Sequence, residues 1–141
     1  MEAEKSQYLF IYSSLRKGFH QSGFDYIARY FNFICNAQVK GVLNTIVRCA
    51  VATPTNEDHF ISGELYQLKE KNDFSWVFGQ LDDYEGITPE PGEEPLYRRE
   101  LTSVIMDDKT ITAWIYWYNG DTSGRPEITS GDLFQYLQEK K

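Results

Sequence analysis

The stretch YRRELTSVIMDDKTITAWIYWY, Tyr97 to Tyr118, decides the fold. Apolar and polar residues alternate on both sides of Asp107-Asp108-Lys109, so Tyr97 to Met106 and Thr110 to Tyr118 read as two half-buried strands of a β-hairpin. Upstream lie more segments of strand character. Phe60 to Leu68 and Val47 to Ala52 are two of them, and Phe33, Cys35, Ala37 and Val39 are expected to face one way with Asn36, Gln38 and Lys40 facing the other, before Gly41. Tyr8-Leu9-Phe10-Ile11-Tyr12 is a continuous apolar run that stops at Ser13-Ser14, the pattern of a strand buried on both faces. Strands that follow one another this closely pair antiparallel, and a sheet of many short strands in a small chain curls so that few edges stay open. The expected fold is therefore α+β: a small, mainly antiparallel β-barrel with flanking short helices, one domain over residues 1–141.

Three segments have helical period. Ser22-x-x-Asp25 has capping-box form and is followed by Phe24, Ile27, Ala28 and Phe31 on one face. Phe74, Val77, Phe78 and Leu81 form a second stripe, with Asn72 as its expected N-cap and Gly86 as its stop. Ile87 to Pro95 holds three of the five prolines and reads as a stiff exposed loop. A last short helix is expected near Ser130, burying Leu133, Phe134 and Leu137.

Composition narrows the function. A net charge of −7, from 14 basic and 21 acidic residues, with the cations scattered, argues against a nucleic-acid surface and an anionic membrane surface. An aromatic share of 16% fits a packed core and excludes a disordered chain. The polar start and the first apolar run, too short for a signal segment or a membrane span, lead to the expectation of a cytoplasmic protein. Cys35 and Cys49 have no second pair and no histidine at ligand spacing, so they read as small buried hydrophobes.

Little in the chain has the form of a reactive centre. Ser14-Leu15-Arg16-Lys17 matches S-x-x-K, but the companion motifs of that serine-nucleophile class are missing. His20 and His59 stand in no motif with a serine or cysteine. Asp82, Asp83 and Glu85 are different, because carboxylates at a helix C-terminus face the negative end of its dipole, at a cost of up to about 1 kcal/mol. Such a cluster asks for a reason beyond local stability. A solvated acidic end, a functional acid and a divalent-cation site all stay open at this point.

Five blocks then become specific as a set: Phe10 to Gly18, Gly63-Glu64-Leu65-Tyr66, Leu81-Asp82-Asp83-Tyr84-Glu85-Gly86, Tyr97-Arg98-Arg99 and Ala113-Trp114-Ile115-Tyr116. In order and spacing they resemble the gamma-glutamylcyclotransferase-like family, from about Tyr8 to Tyr118, and Ser130-Gly131-Asp132 is similar as well. The resemblance implies a barrel enzyme that releases 5-oxoproline from a small gamma-glutamyl amine or amino acid. The substrate's own α-amine attacks its γ-carbonyl, so no cofactor, metal or enzyme nucleophile is implied. Glu85 is then the general acid/base, while Asp82 and Tyr84 are helix-end and packing residues. Tyr12, Ser13, Ser14 and Leu15 match the loop that holds the substrate's α-carboxylate through backbone N–H groups. Tyr97 and Arg98 support the pocket wall. The family's glycine after the tyrosine is Ser13 here, which would strain the loop or narrow the pocket. The alternative is a non-catalytic module on the same fold that binds a small anion. A monomer or weak homodimer is expected.

Overall fold

The computed structural model describes residues 7–12, 22–46, 49–85, 97–133, 135 and 136, and their side chains except those of 22–24, 46, 49 and 83–85. The elements run β1 (Tyr8–Ile11), α1 (Ser22–Tyr30), β2 (Phe31–Ile46), β3 (Cys49–Pro54), β4 (Phe60–Leu68), α2 (Phe74–Glu85), β5 (Tyr97–Met106) and β6 (Lys109–Tyr118). The sheet order is β3-β2-β4-β1-β6-β5, and a further β2–β5 pairing at Gln38↔Ile105 closes five of the strands into a small barrel, with β3 attached to β2. All pairings are antiparallel except β1–β6, where Leu9 pairs with Trp114 in parallel.

β1 explains its own sequence. Phe10 and Tyr12 join Val39, Leu65, Ile115 and Trp117 in one buried cluster, while Leu9 and Ile11 join Ile27, Val77, Phe78 and Leu81 in another, between the sheet and the two helices. A strand buried on both faces needs a continuous apolar run. The hairpin also forms as read, over a two-residue turn at Asp107-Asp108 in which Asp107 has φ 54°, the left-handed geometry that tight hairpins prefer.

Some expectations change. Phe33 does not share the inward face of Ala37 and Val39. The β2–β4 register shifts between Phe33 and Cys35, so one extra residue flips the phase, and Phe33 packs edge-on against Tyr66 while 38% exposed. β2 does not end at Gly41 either. There it exchanges partners, from β4 to β3, and runs on to Ile46. Asn72 lies inside a 3-10 turn, Lys71–Asp73, that leads into α2, and Ala28 is exposed. Cys35 is half-buried rather than buried, with its thiol 3.8 Å from the Met106 sulfur. Leu133 is buried as expected, whereas Phe134, Leu137 and the loop from Ile87 to Pro95 lie outside the described residues. No helix among the described residues is long and apolar enough to cross a membrane.

Candidate active site

The end of the barrel where β1 finishes is also where β6 finishes, β5 begins and α2 ends. The connections there are short. The buried Tyr12 hydroxyl donates to the Tyr116 carbonyl oxygen at 2.6 Å, and the Tyr116 hydroxyl donates to Asp82 Oδ1 at 2.7 Å. Arg99 donates to both oxygens of Asp82, Nε to Oδ1 at 2.8 Å and Nη2 to Oδ2 at 3.1 Å. Its guanidinium carbon lies 4.5 Å from the Trp114 ring centre and 5.1 Å from that of Phe78. A planar cation that forks onto a carboxylate and stacks on aromatic faces is a task for arginine, and lysine would satisfy only part of it.

This arrangement accounts for Asp82 at the helix C-terminus. Asp82 is 19% exposed at its side chain and Arg99 20%, so the pair is shielded enough to matter and its positive charge offsets the dipole. Asp82 thus belongs to the connection between α2 and the sheet. Glu85 ends α2, one helical turn beyond Asp82.

A second acid is buried nearby. Glu64 is 3% exposed and accepts a hydrogen bond from the Tyr66 hydroxyl at 2.8 Å on Oε1. It lies opposite Ile11 in the β1–β4 ladder, next to the end of β1. Gly63 before it permits this close approach, because a Cβ there would collide with the Ile11 carbonyl oxygen and the Phe10 ring. A cavity of about 470 Å³ opens on the β2–β4–β5 side, lined by Asn36, Gln38, Ser62, Gly63, Asp107 and Asp132 among others. No group of three or more His, Cys, Asp or Glu among the described residues could hold a metal ion.

Of the residues singled out from the sequence, Tyr12 is in the hydrogen-bonded network and Tyr97 packs against the α2-facing cluster and the Tyr118 ring. Arg98 points elsewhere, to Glu100 at 2.9 Å and to the Asn119 side-chain oxygen at 2.9 Å, both exposed contacts. Its neighbour Arg99 is the arginine that reaches α2. The alternation of a strand carries the signal for this, since Arg99 shares a face with Tyr97 and Arg98 does not. Ser13, Ser14 and Leu15 lie outside the described residues, as does His20. His59 is an exposed residue beside Glu57 and Glu127, at 3.5 and 3.9 Å.

A five-stranded barrel with an acid-bearing helix end fastened beside its first strand defines the class of protein. Residues 9–135 match the family model described as gamma-glutamyl cyclotransferase, AIG2-like, and the chain belongs to that family. It is 32% identical over 137 residues to a Methanocaldococcus jannaschii protein provisionally named a gamma-glutamylcyclotransferase, covering 92% of this chain and 98% of that one. Among solved structures, YkqA from Bacillus subtilis superposes with a TM-score of 0.68 at 24% identity. The match covers 97% of this chain and 44% of that one, so the chain spans less than half of YkqA. The uncharacterized protein PH0828 from Pyrococcus horikoshii gives 0.65 at 20% identity, with 96% of each chain covered. At such identities these two likenesses establish the fold.

Proposed function

We propose that the protein is a cyclotransferase that releases 5-oxoproline from a small gamma-glutamyl amine or gamma-glutamyl amino acid, with Glu85 as its general acid/base. The observation that carries this reading is the fastening of the α2 end, through Asp82, Arg99 and Tyr116, to the end of β1. It brings the Glu85 turn and the Tyr12 strand end to one side of the barrel.

Glu85, as carboxylate, takes a proton from the substrate's α-ammonium. The freed amine attacks the γ-carbonyl carbon, a new C–N bond closes the five-membered ring, and the carbonyl π electrons move onto oxygen. Collapse of that tetrahedral centre re-forms the carbonyl and breaks the bond to the leaving nitrogen, to which Glu85 returns its proton. The second proton lost by the ring nitrogen leaves with the released amine, now an ammonium, so charge balances between substrate and products. Ring closure supplies proximity, leaving the protein to fold the substrate and move the proton. The backbone amides of Ser13, Ser14 and Leu15 receive the substrate α-carboxylate, with Tyr12 and Tyr97 as walls. Arg98 keeps only a supporting role on the outer side of β5.

The test is 5-oxoproline release from a panel of gamma-glutamyl amines and amino acids by the wild type and by Glu85→Gln. Release by the wild type and its loss in the variant is the expected result. Ser13, at the family's glycine position, favours a second reading, an anion-binding module. That reading gains if no member of the panel is turned over while 5-oxoproline itself binds.

A further inference from the structure

Tyr116 touches two elements at once. Its ring carries a hydroxyl that donates to Asp82 on the last turn of α2, and its backbone carbonyl accepts the Tyr12 hydroxyl at the end of β1. The ring is 6% exposed, within the cluster that includes Ile11 and Leu81, so neither contact is a loose surface arrangement. Asp82 is held from a second direction by the two Arg99 bonds, and Arg99 is in turn held between its carboxylate partner and the Trp114 and Phe78 rings. A helix end fixed by one contact can still pivot. Fixed by three hydrogen bonds from two adjacent strands, it has a single orientation.

We infer that Asp82 and Tyr116 are positioning residues, which hold the last turn of α2, and with it Glu85, in a fixed relation to the end of β1. This rests on the reading of Glu85 as the acid/base. It goes beyond that reading by assigning the fixed geometry to Asp82 and Tyr116, which take no part in the proton transfer itself. Preorganisation of this kind matters for proton transfer, because a carboxylate displaced by about 1 Å loses much of its effect on rate. The expected signature is a loss in kcat at nearly constant KM, since the α-carboxylate contacts are untouched.

The experiment joins hydrogen exchange to kinetics. Tyr116→Phe deletes one hydroxyl and keeps the ring, and Asp82→Asn keeps the shape of the side chain while removing the charge opposite Arg99. In the wild type and both variants, exchange is followed at the amides of residues 82–85 and, as an internal reference, at the buried β2–β4 ladder. Turnover is followed at a temperature far below melting. In Tyr116→Phe, exchange at 82–85 is expected to quicken about 5- to 10-fold with the ladder unchanged, kcat to fall about 10-fold and KM to move less than 2-fold. The double variant should be no slower than the slower single, because both changes break one clamp. Unchanged exchange at 82–85, unchanged kcat, or multiplicative losses in the double variant would each overturn the inference while leaving Glu85 in place. A wild type that releases no 5-oxoproline would instead overturn the acid/base reading, and the positioning role with it.

Discussion

Gly131 should be far less replaceable than Gly124, although both have a left-handed backbone, φ 70° and 75°. Alanine at Gly124 meets nothing within 4 Å, so it bears only the backbone strain, about 1–2 kcal/mol. At Gly131 a new Cβ would run into the Phe60 carbonyl oxygen of β4, a backbone atom that cannot step aside. The segment must lift, which breaks the two hydrogen bonds that tie it to the sheet: Ser62 N–H to the Gly131 carbonyl at 2.7 Å and Ile128 N–H to the Leu43 carbonyl at 2.8 Å. At about 1 kcal/mol each these bring the total to about 3–4 kcal/mol. A chain of this size loses about 3–4 °C of Tm per kcal/mol, so Gly131→Ala is expected to melt about 12 °C below wild type and Gly124→Ala about 5 °C below. Calorimetry of the two variants side by side removes the common strain from the comparison. Equal losses would refute the clash, and with it the docking of the 128–131 segment onto β4.

Other outcomes follow from the same geometry and from the proposed chemistry. Glu85→Gln is expected to lower kcat about 10²- to 10⁴-fold with an unchanged melting curve, measured by 5-oxoproline release. For the wild type, kcat/KM should rise with pH from 4 as the Glu85 carboxylate forms, because the deprotonated acid is the active one; a flat profile from pH 4 to 8 would contradict this. Ser13→Gly should raise kcat/KM up to about tenfold if serine crowds the loop, read from the same assay. Burial, and after it the Asp107 carboxylate, pushes the Cys35 thiol above its ordinary value. Less thiolate is then present at pH 8, so alkylation of the Cys35 peptide, followed by mass spectrometry, should be slower than that of a free cysteine and quicken as pH rises further.

The barrel was legible wherever local pattern and pairing agree. The hairpin strands alternate in part and are joined by turn residues, β4 has strand composition without strict alternation, and β1 carries the apolar run of a two-sided strand. What was not legible depends on the third dimension. The bulge at Phe33/Cys35 adds one residue against β4; Ile34, apolar between Phe33 and Cys35, breaks the alternation there, but the break alone does not give the change of register. The exchange of partners at Gly41 looks like a strand end because glycine ordinarily ends strands. In the site, the acidic turn was legible as an anomaly of helix electrostatics, but its resolution by Arg99 and Tyr116 lies 17 and 34 positions away and leaves no trace in spacing. Tyr97-Arg98-Arg99 offers two cations; strand alternation sets them on opposite faces, and the pairing of β5 with β6, Arg99↔Tyr116, sets Arg99 beside α2.

The parallel pairing of β1 with β6 has a consequence for how the protein is made. Tyr12 and Tyr116 are 104 positions apart, and a ribosome delivers the first long before the second. Until Trp114 emerges, β1 has β4 on one side and an open row of amides on the other, with Leu9 and Phe10 beside it. From the emergence of β4 to that of β6 the nascent chain therefore presents an aggregation-prone edge, and closure waits on β6. Slowing elongation between the β4 and β6 codons should lengthen that exposure and raise the insoluble fraction, and a holding chaperone on the strands already made should lower it.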